Sequence, residues 1–335
     1  MHVVALRSPG GLDRLEMQDR ADPGQPGPGA IRVALHGSSL NYHDLAVASG
    51  WSPSENGRVP LADGAGVVEA VGDGVTEFVV GDTVVSCFFP DWQAGGPTIP
   101  DFARTPGDGI DGFAQDVVVR PATAFTHAPR GYDAVEAATI TTAGLTAWRA
   151  LVVDGAVKAG DTVLLLGTGG VSIWALQIAR ALGARVAITS SSDDKLARAK
   201  AMGAEVGFNY RDVPDWGRAV RDWTGGRGVD HVVEVGGPGT LAQSIEAVRV
   251  GGHISLIGVL TGFGGEVPTA ALMGRQARLQ GLIVGSRHDQ QAFVRALDAT
   301  GIRPVVDIRF PLDRLADAFR HQQAGRHFGK VGIEW

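Results

Sequence analysis

The sequence predicts an α/β chain in which a doubly wound parallel sheet follows a β-rich domain. Three observations carry this. A glycine turn, Gly167-Thr168-Gly169-Gly170-Val171-Ser172, joins a continuous apolar run to a helical pattern. Strand and helix patterns alternate from about Asp133, as they do where helices cover both faces of a parallel sheet. Before about residue 128, short apolar or alternating runs are separated instead by Gly, Pro and Asp turns.

In chain order, strands are expected at residues 3–6, 31–35, 67–71, 83–86 and 115–119, with Gly72-Asp73-Gly74 and Gly81-Asp82 as turn signals. Residues 89–111 are rich in Pro, Gly and aromatics and read as a long loop covering a site. Residues 163–166 form a short apolar run, the mark of a strand buried on both faces. From Val171 the apolar residues Ile173, Leu176, Ile178, Ala179 and Leu182 recur at helical spacing, and Gly183 closes the helix. A second strand at 184–189 follows at the distance of a βαβ unit. Strands at 206–208, 229–235 and 253–257 continue the sheet, with a helix at 240–250, and a strand at 279–284 closes it. Residues 289–335 hold one or two helices and a strand at 330–333. The expected division is a β-rich domain of residues 1–128 with a C-terminal return of 287–335, and a parallel-sheet domain of 129–286.

The strand, turn and helix around Gly167 make a Rossmann-type dinucleotide site. Gly167 permits the sharp bend, and Gly169 lets a phosphate approach the backbone. The helix N-terminus at Gly170 and Val171, beside Thr168, offers free N–H groups and a positive dipole end to a pyrophosphate. Ser172 stands where a third glycine is usual. An ordinary ligand-free turn is the alternative, but a second strand at the right distance favours the dinucleotide.

Composition narrows the class. The chain has 335 residues, enough for two domains with proper cores, and its 44% hydrophobic and 20% charged residues describe an ordinary globular protein. A net charge of -6 with no dense basic patch argues against nucleic acid as a partner. No apolar run approaches a membrane span, and no signal pattern precedes the first strand. Cys87 is the one cysteine, so no intrachain disulfide forms and a reducing cytoplasm is expected.

Several further motifs carry a resemblance. They are the run from Asp63-Gly64-Ala65-Gly66 to Gly72, Gly81-Asp82-Thr83-Val84, Gly144-Leu145-Thr146-Ala147-Trp148, Gly225-Gly226-Arg227-Gly228-Val229-Asp230, Val235-Gly236-Gly237 and Gly329-Lys330-Val331. With the glycine turn, they make the chain resemble the medium-chain dehydrogenase/reductase superfamily, most of all its zinc-independent quinone oxidoreductase and enoyl reductase branch and nearby alcohol-dehydrogenase-like relatives. The resemblance implies a GroES-like catalytic domain, a Rossmann domain, an active site in the cleft between them, and a homodimer or homotetramer.

Zinc enzymes of this superfamily use a Cys, the His of a Gly-His-Glu motif and a second Cys. Here the first position matches Asn41, in Ser39-Leu40-Asn41-Tyr42-His43-Asp44, and the motif is represented by Leu61-Ala62-Asp63. With Cys87 alone, neither the catalytic Cys-His-Cys set nor a four-cysteine site can be assembled. His43, Asp63 and Cys87 have no spacing that supports a metal site, so no zinc is expected.

The second Rossmann strand usually ends in Asp or Glu, which binds the ribose 2′-OH of NAD. Ser190 stands there, in Thr189-Ser190-Ser191-Ser192-Asp193-Asp194-Lys195. Without the carboxylate a 2′-phosphate is not repelled, and Ser190, Ser191 and Lys195 supply donors and charge to hold it. Tyr210 matches an adenosine-phosphate contact in the quinone reductase branch. NADPH is therefore expected over NADH, against the alternative of a plain solvated loop weakened by Asp193 and Asp194.

Candidate catalytic residues gather at 41–63. Resemblance suggests that Asn41 contacts nicotinamide ribose or the substrate carbonyl, the alternative being an Asx turn. Tyr42 and His43 are candidate proton donors or orienters, and the alternative for His43 is a surface pair with Asp44. Asp63 matches the Glu of Gly-His-Glu, or else caps a turn. Thr142 is a phosphate or ribose contact, or a helix cap. Gly236, Gly258 and Val259, together with Gly285 and Ser286, follow strand ends and should border the nicotinamide. Lys330 reaches the site, or else is a solvated surface lysine. Without a Lewis acid, acceptors whose conjugation spreads the incoming charge are favoured. The expected activity is NADPH-dependent hydride transfer to a quinone or α,β-unsaturated carbonyl, a small molecule. The alternatives are an NADP-dependent alcohol dehydrogenase or ketone reductase, and a cofactor-binding protein without turnover.

Overall fold

The computed structural model describes residues 1–51 and 55–335. β1 (His2–Leu6) and β2 (Leu15–Asp19) form an antiparallel ribbon. β3 (Ala30–Ser39), α1 (Tyr42–Ala48), β4 (Ala65–Val71), β5 (Thr83–Ser86), β6 (Val117–Pro121), β7 (Phe125–His127) and α2 (Ala134–Ala138) follow. α3 (Leu145–Trp148) lies between two π-helical turns at Ile140–Gly144 and Arg149–Val153. Then come β8 (Thr162–Leu165), α4 (Gly170–Ala181), β9 (Arg185–Ser190), α5 (Asp193–Ala201), β10 (Val206–Asn209) and α6 (Trp216–Trp223). The sheet continues with β11 (Val229–Glu234), α7 (Pro238–Ala247), β12 (Val248–Leu256), α8 (Thr269–Arg275) and β13 (Arg278–Gly281). The chain finishes with α9 (Arg287–Thr300), β14 (Val306–Pro311), α10 (Leu315–Gln323) and β15 (Lys330–Glu334).

Contacts divide the chain into two compact units, Met1–Leu145 with Val284–Trp335, and Thr146–Ile283. The first division falls after α2 because that helix packs on β3, β4, β5 and β15 of the first unit. Gly37 lets it do so, since a Cβ there would lie 2.5 Å from the Ala134 backbone.

In the first unit the described strands run β14-β15-β3-β4-β5-β7, with β6 also on β3. β14 pairs β15 in parallel, and the other ladders of this sheet are antiparallel. A single core cluster joins the two ends of the chain, setting Val3, Leu40, Leu45 and Leu61 against Leu315, Phe319, Val331 and Ile333. Each such large side chain contributes about 1.5–3 kcal/mol on burial. That burial, with the pairing of Ile333 to Ser38 and Gly332 to Ser39, seats residue 330 beside residues 40 and 41.

In the second unit six described strands run β10-β9-β8-β11-β12-β13, all parallel. β8 and β11 are buried along their whole length, as strands covered on both faces must be. The Gly225–Asp230 motif has a structural task here. Asp230 accepts from the Thr162 N–H and Oγ1, both at 2.9 Å, and from Arg227 and Arg249, pinning β11 to β8.

Several elements differ from expectation. The helix expected at 240–250 ends at Ala247, because Val248 pairs with Val229 and opens β12. The strand expected at 279–284 ends at Gly281, and Val284 takes a left-handed φ of 46°, which no extended strand continues through. β2, β7 and β14 are additional strands, paired with β1, β5 and β15. No helix among the described residues is long and apolar enough to cross a membrane.

Candidate functional site

The turn after β8 has the geometry its glycines predict. Gly167 takes φ 70°, and α4 starts at Gly170. A Cβ built on Gly167 or on Gly169 would meet nothing within 4 Å, so the cradle in front of the helix is open. Ser172 is buried, and its hydroxyl donates to the Leu166 carbonyl at 2.6 Å, tying the helix to the strand end. The first N–H groups of α4 face this space without intrahelical partners, and a pyrophosphate fits both the opening and the dipole.

β9 ends at Ser190, as counted from the sequence. Its Oγ accepts the Ser192 N–H at 3.3 Å, and Ser192 caps α5 by accepting the Lys195 N–H. The Tyr210 N–H donates to the Ser190 carbonyl at 3.1 Å, so Tyr210, Ser190 and Ser191 are brought together. At the end of β11 sequence reasoning missed Glu234. It is fully buried and accepts from the N–H groups of Gly236 (2.7 Å) and Gly237 (3.0 Å), from the Thr240 hydroxyl (2.6 Å) and from Ser244. Glu234 sets the Gly236 turn, and the Gly258 N–H reaches its carbonyl. The available signal was a carboxylate closing an apolar strand before Gly-Gly-Pro. Val259 is half-buried in the turn after Gly258.

In the first unit a buried ionic cluster forms at residues 39–63 and 330. Lys330 is 2% exposed, and its Nζ donates to the Leu40 carbonyl at 2.7 Å and to Asn41 Oδ1 at 2.5 Å. It lies 3.5 Å from Asp63 Oδ2. Asp63 is fully buried and accepts from the Ser39 hydroxyl at 2.5 Å and the Thr142 hydroxyl at 2.6 Å. Asp44 accepts from the Asn41 N–H (2.9 Å), from its Nδ2 (3.0 Å) and from the Ala62 N–H (2.9 Å). Burial pushes the Asp44 carboxyl above its ordinary range, helped by the charge of Asp63. Burial likewise pulls the Lys330 ammonium below its own range, against the attraction of Asp63 and Asp44.

Lys330 is therefore no surface lysine, and Thr142 is a partner of Asp63. Asn41 has both ends of its amide engaged inside the protein. His43 pairs with Asp108 at 3.0 Å rather than with its neighbour Asp44, which points into the cluster. Tyr42 opens α1 and sets its ring edge-on to Trp51. Ser286 caps α9 in a reciprocal bond with Asp289, and Gly285 packs against Leu145. In the loop of residues 89–111, Phe89, Pro90, Ile99, Pro100 and Ala103 line a pocket of about 160 Å³.

The cluster does not have the donor set of a tetrahedral zinc. Zinc takes thiolate and imidazole ligands, whereas here an ammonium occupies the space between Asn41 and Asp63. The Cys87 thiol is pushed up to about 12 by burial, which keeps it protonated. Among the described residues no three His, Cys, Asp or Glu side chains converge as a metal group.

Residues 27–130 match the alcohol dehydrogenase GroES-like domain, and residues 170–299 match the zinc-binding dehydrogenase family. A zinc-type alcohol dehydrogenase-like protein of Schizosaccharomyces pombe is 41% identical over 97% of this chain and 96% of its own length. The chain belongs to the medium-chain dehydrogenase/reductase superfamily. It is an oxidoreductase of that superfamily, a family that binds a nicotinamide cofactor. The solved structure of an NAD-dependent alcohol dehydrogenase superposes with a TM-score of 0.90 at 35% identity, covering all of both chains. A quinone oxidoreductase of Pseudomonas syringae pv. tomato DC3000 superposes at 0.83 and 28%, covering all of this chain and 99% of that one.

Proposed function

We propose that the protein is an NADPH-dependent, zinc-independent reductase that delivers hydride to a quinone or an α,β-unsaturated carbonyl. The observation that carries this is Lys330. Its ammonium fills the space between Asn41 and Asp63, the positions that match the first Cys and the Glu of the zinc enzymes.

Bound reduced nicotinamide supplies the hydride. The rest is the task of this chain's own residues. Gly167, Thr168, Gly169, Gly170 and Val171 take the pyrophosphate, and Gly236, Gly258 and Val259 border the cofactor at their strand ends. Ser190, Ser191, Lys195 and Tyr210 take the 2′-phosphate, an arrangement supported by the missing carboxylate at the end of β9. Lys330, Asp63 and Thr142 hold Asn41 and the end of β3 rigid. His43 supplies the proton that follows the hydride, with Tyr42 as the second donor. Without a Lewis acid, conjugation in the acceptor has to spread the arriving negative charge.

A second reading, an alcohol dehydrogenase or ketone reductase, is favoured by the full-length similarity to an NAD-dependent alcohol dehydrogenase. The test is consumption of NADPH and of NADH by the protein with quinone, enal and simple ketone acceptors in parallel. The proposal expects turnover with conjugated acceptors and a lower KM for NADPH. Turnover of the simple ketone alone, or a preference for NADH, supports the second reading.

We also propose a cytoplasmic homodimer or homotetramer. Edge strand β13 supports the oligomer, since it has one strand partner among the described residues; light scattering reads the mass directly.

A further inference from the structure

The loop of residues 89–111 carries a carboxylate that the reading above leaves unused. Asp108 is buried, and its Oδ2 lies 3.0 Å from His43 Nε2. Nothing about this pair is casual. The turn that holds Asp108 closes on itself, with the Gly107 N–H donating to the Ile110 carbonyl at 2.9 Å and the Asp108 N–H to the Thr105 carbonyl at 3.2 Å. It presses on the backbone of Leu61, two residues before Asp63. A Cβ on Gly107 would fall 2.7 Å from the Leu61 nitrogen, and one on Gly112 would fall 2.2 Å from its carbonyl oxygen. Gly107 also takes φ 84°. The turn can sit there only with glycine at both places.

The histidine is fixed as tightly. Phe102 lies against its ring at 4.8 Å between centroids, and Phe88 meets it edge-on at 5.4 Å. With Nε2 engaged by a carboxylate, which only accepts, the Nε2 proton points at Asp108. Nδ1 is then the other nitrogen. It is buried and has no hydrogen-bond partner among the described residues. A buried ring nitrogen without a partner costs free energy that a hydrogen bond from its protonated form to a ligand oxygen would recover.

We infer that Asp108 is a positioning residue: it keeps one ring proton of His43 on Nε2, so that Nδ1 carries the second proton of the imidazolium and is the nitrogen that passes it to the acceptor. This rests on the reading of His43 as proton donor. In the step, hydride adds to the acceptor, and its electron pair comes to rest on the acceptor's oxygen or α-carbon. The Nδ1 proton of the imidazolium forms a bond to that atom, and the N–H electron pair stays on Nδ1. The neutral Nε2–H imidazole left behind is re-protonated from solvent. The Asp108 carboxylate faces the ring throughout, keeping its proton on Nε2 and its positive charge compensated.

The test has two arms. Long-range nitrogen–proton NMR on histidine-labelled protein reads the ring form of His43 directly, with H43Q supplying the assignment. Where the ring is neutral, the wild type is expected to carry its proton on Nε2, and D108A to show a mixture of both neutral forms. In the second arm D108A lowers kcat with a conjugated acceptor roughly 10–100-fold, as loss of a partner that orients a functional histidine does, and leaves NADPH affinity unchanged. D108N, which keeps the shape and an acceptor oxygen, retains an intermediate kcat and guards against misfolding of D108A. A neutral wild-type ring with its proton on Nδ1, or a wild-type kcat in both variants, overturns the inference. A wild-type protein that turns over no conjugated acceptor contradicts the parent reading instead, while the NMR arm still decides the ring form.

Discussion

Lys330 holds its ammonium where water is excluded and where an isolated charge would cost several kcal/mol. Asn41, the Leu40 carbonyl and Asp63 compensate it, and Asp63 in turn is satisfied by Ser39 and Thr142. Removing one partner strands the other. K330M is expected to destabilise the protein by about 3–5 kcal/mol in denaturant titration, and K330M with D63N to recover part of that loss. An unchanged midpoint in K330M would contradict the pairing. Ser190 was legible in the sequence, because a strand end follows from local counting. The cluster was only half legible. Asn41 and Asp63 announce themselves by motif, but Lys330 meets them through the pairing of β15 with β3, nearly 290 residues away in sequence, which no local pattern encodes. Asp108 was hidden for the same reason, in a loop without periodicity.

At the scale of elements, the glycine turn separates cofactor binding from folding. Gly169 has φ -82°, so alanine is unstrained there, and its Cβ meets nothing in the free protein. G169A is expected to keep wild-type stability while weakening NADPH binding about tenfold or more, near 1.4 kcal/mol. A variant that binds NADPH as the wild type does would remove the cradle from the account. The second unit also carries a built-in acid sensitivity. Burial, Arg278 and His231 lower His253 to about 4 from its ordinary 6.5. Between those values the unfolded chain binds a proton that the folded chain refuses, so stability falls as pH drops from 6.5 towards 4. Asp230 adds to this at the lower end. Burial opposes ionisation there, but Arg227, the Thr162 N–H and Arg249 outweigh it and hold the carboxyl below its usual range. Its contribution is present above about 3.8 and is lost on further acidification. Urea midpoints across this range should fall with pH, and H253Q should flatten the upper part of the curve; a flat wild-type profile would contradict the assignment. Here too the sequence was informative where periods were clean. β8 and α4 follow their patterns, whereas Val248-Arg249-Val250 suits either period and its strand was read as helix.

Over the whole molecule, the chain begins in one unit, builds the parallel sheet as a second, and returns to complete the first. The return is more than ballast. It brings β15 to β3 and so delivers the ammonium of the ionic cluster, while the parallel sheet keeps the space at its glycine turn open. Both parts follow the superfamily in fold, yet Asn41 and Asp63, which the resemblance matches to the first zinc cysteine and the Glu of Gly-His-Glu, hold the Lys330 ammonium between them. The account turns on that substitution. Its most direct test is metal content by mass spectrometry on active protein, with turnover of a conjugated acceptor measured before and after chelation. The account predicts far less than one zinc per chain and the same turnover throughout. One zinc per chain, with activity lost on its removal and restored on its return, would contradict it.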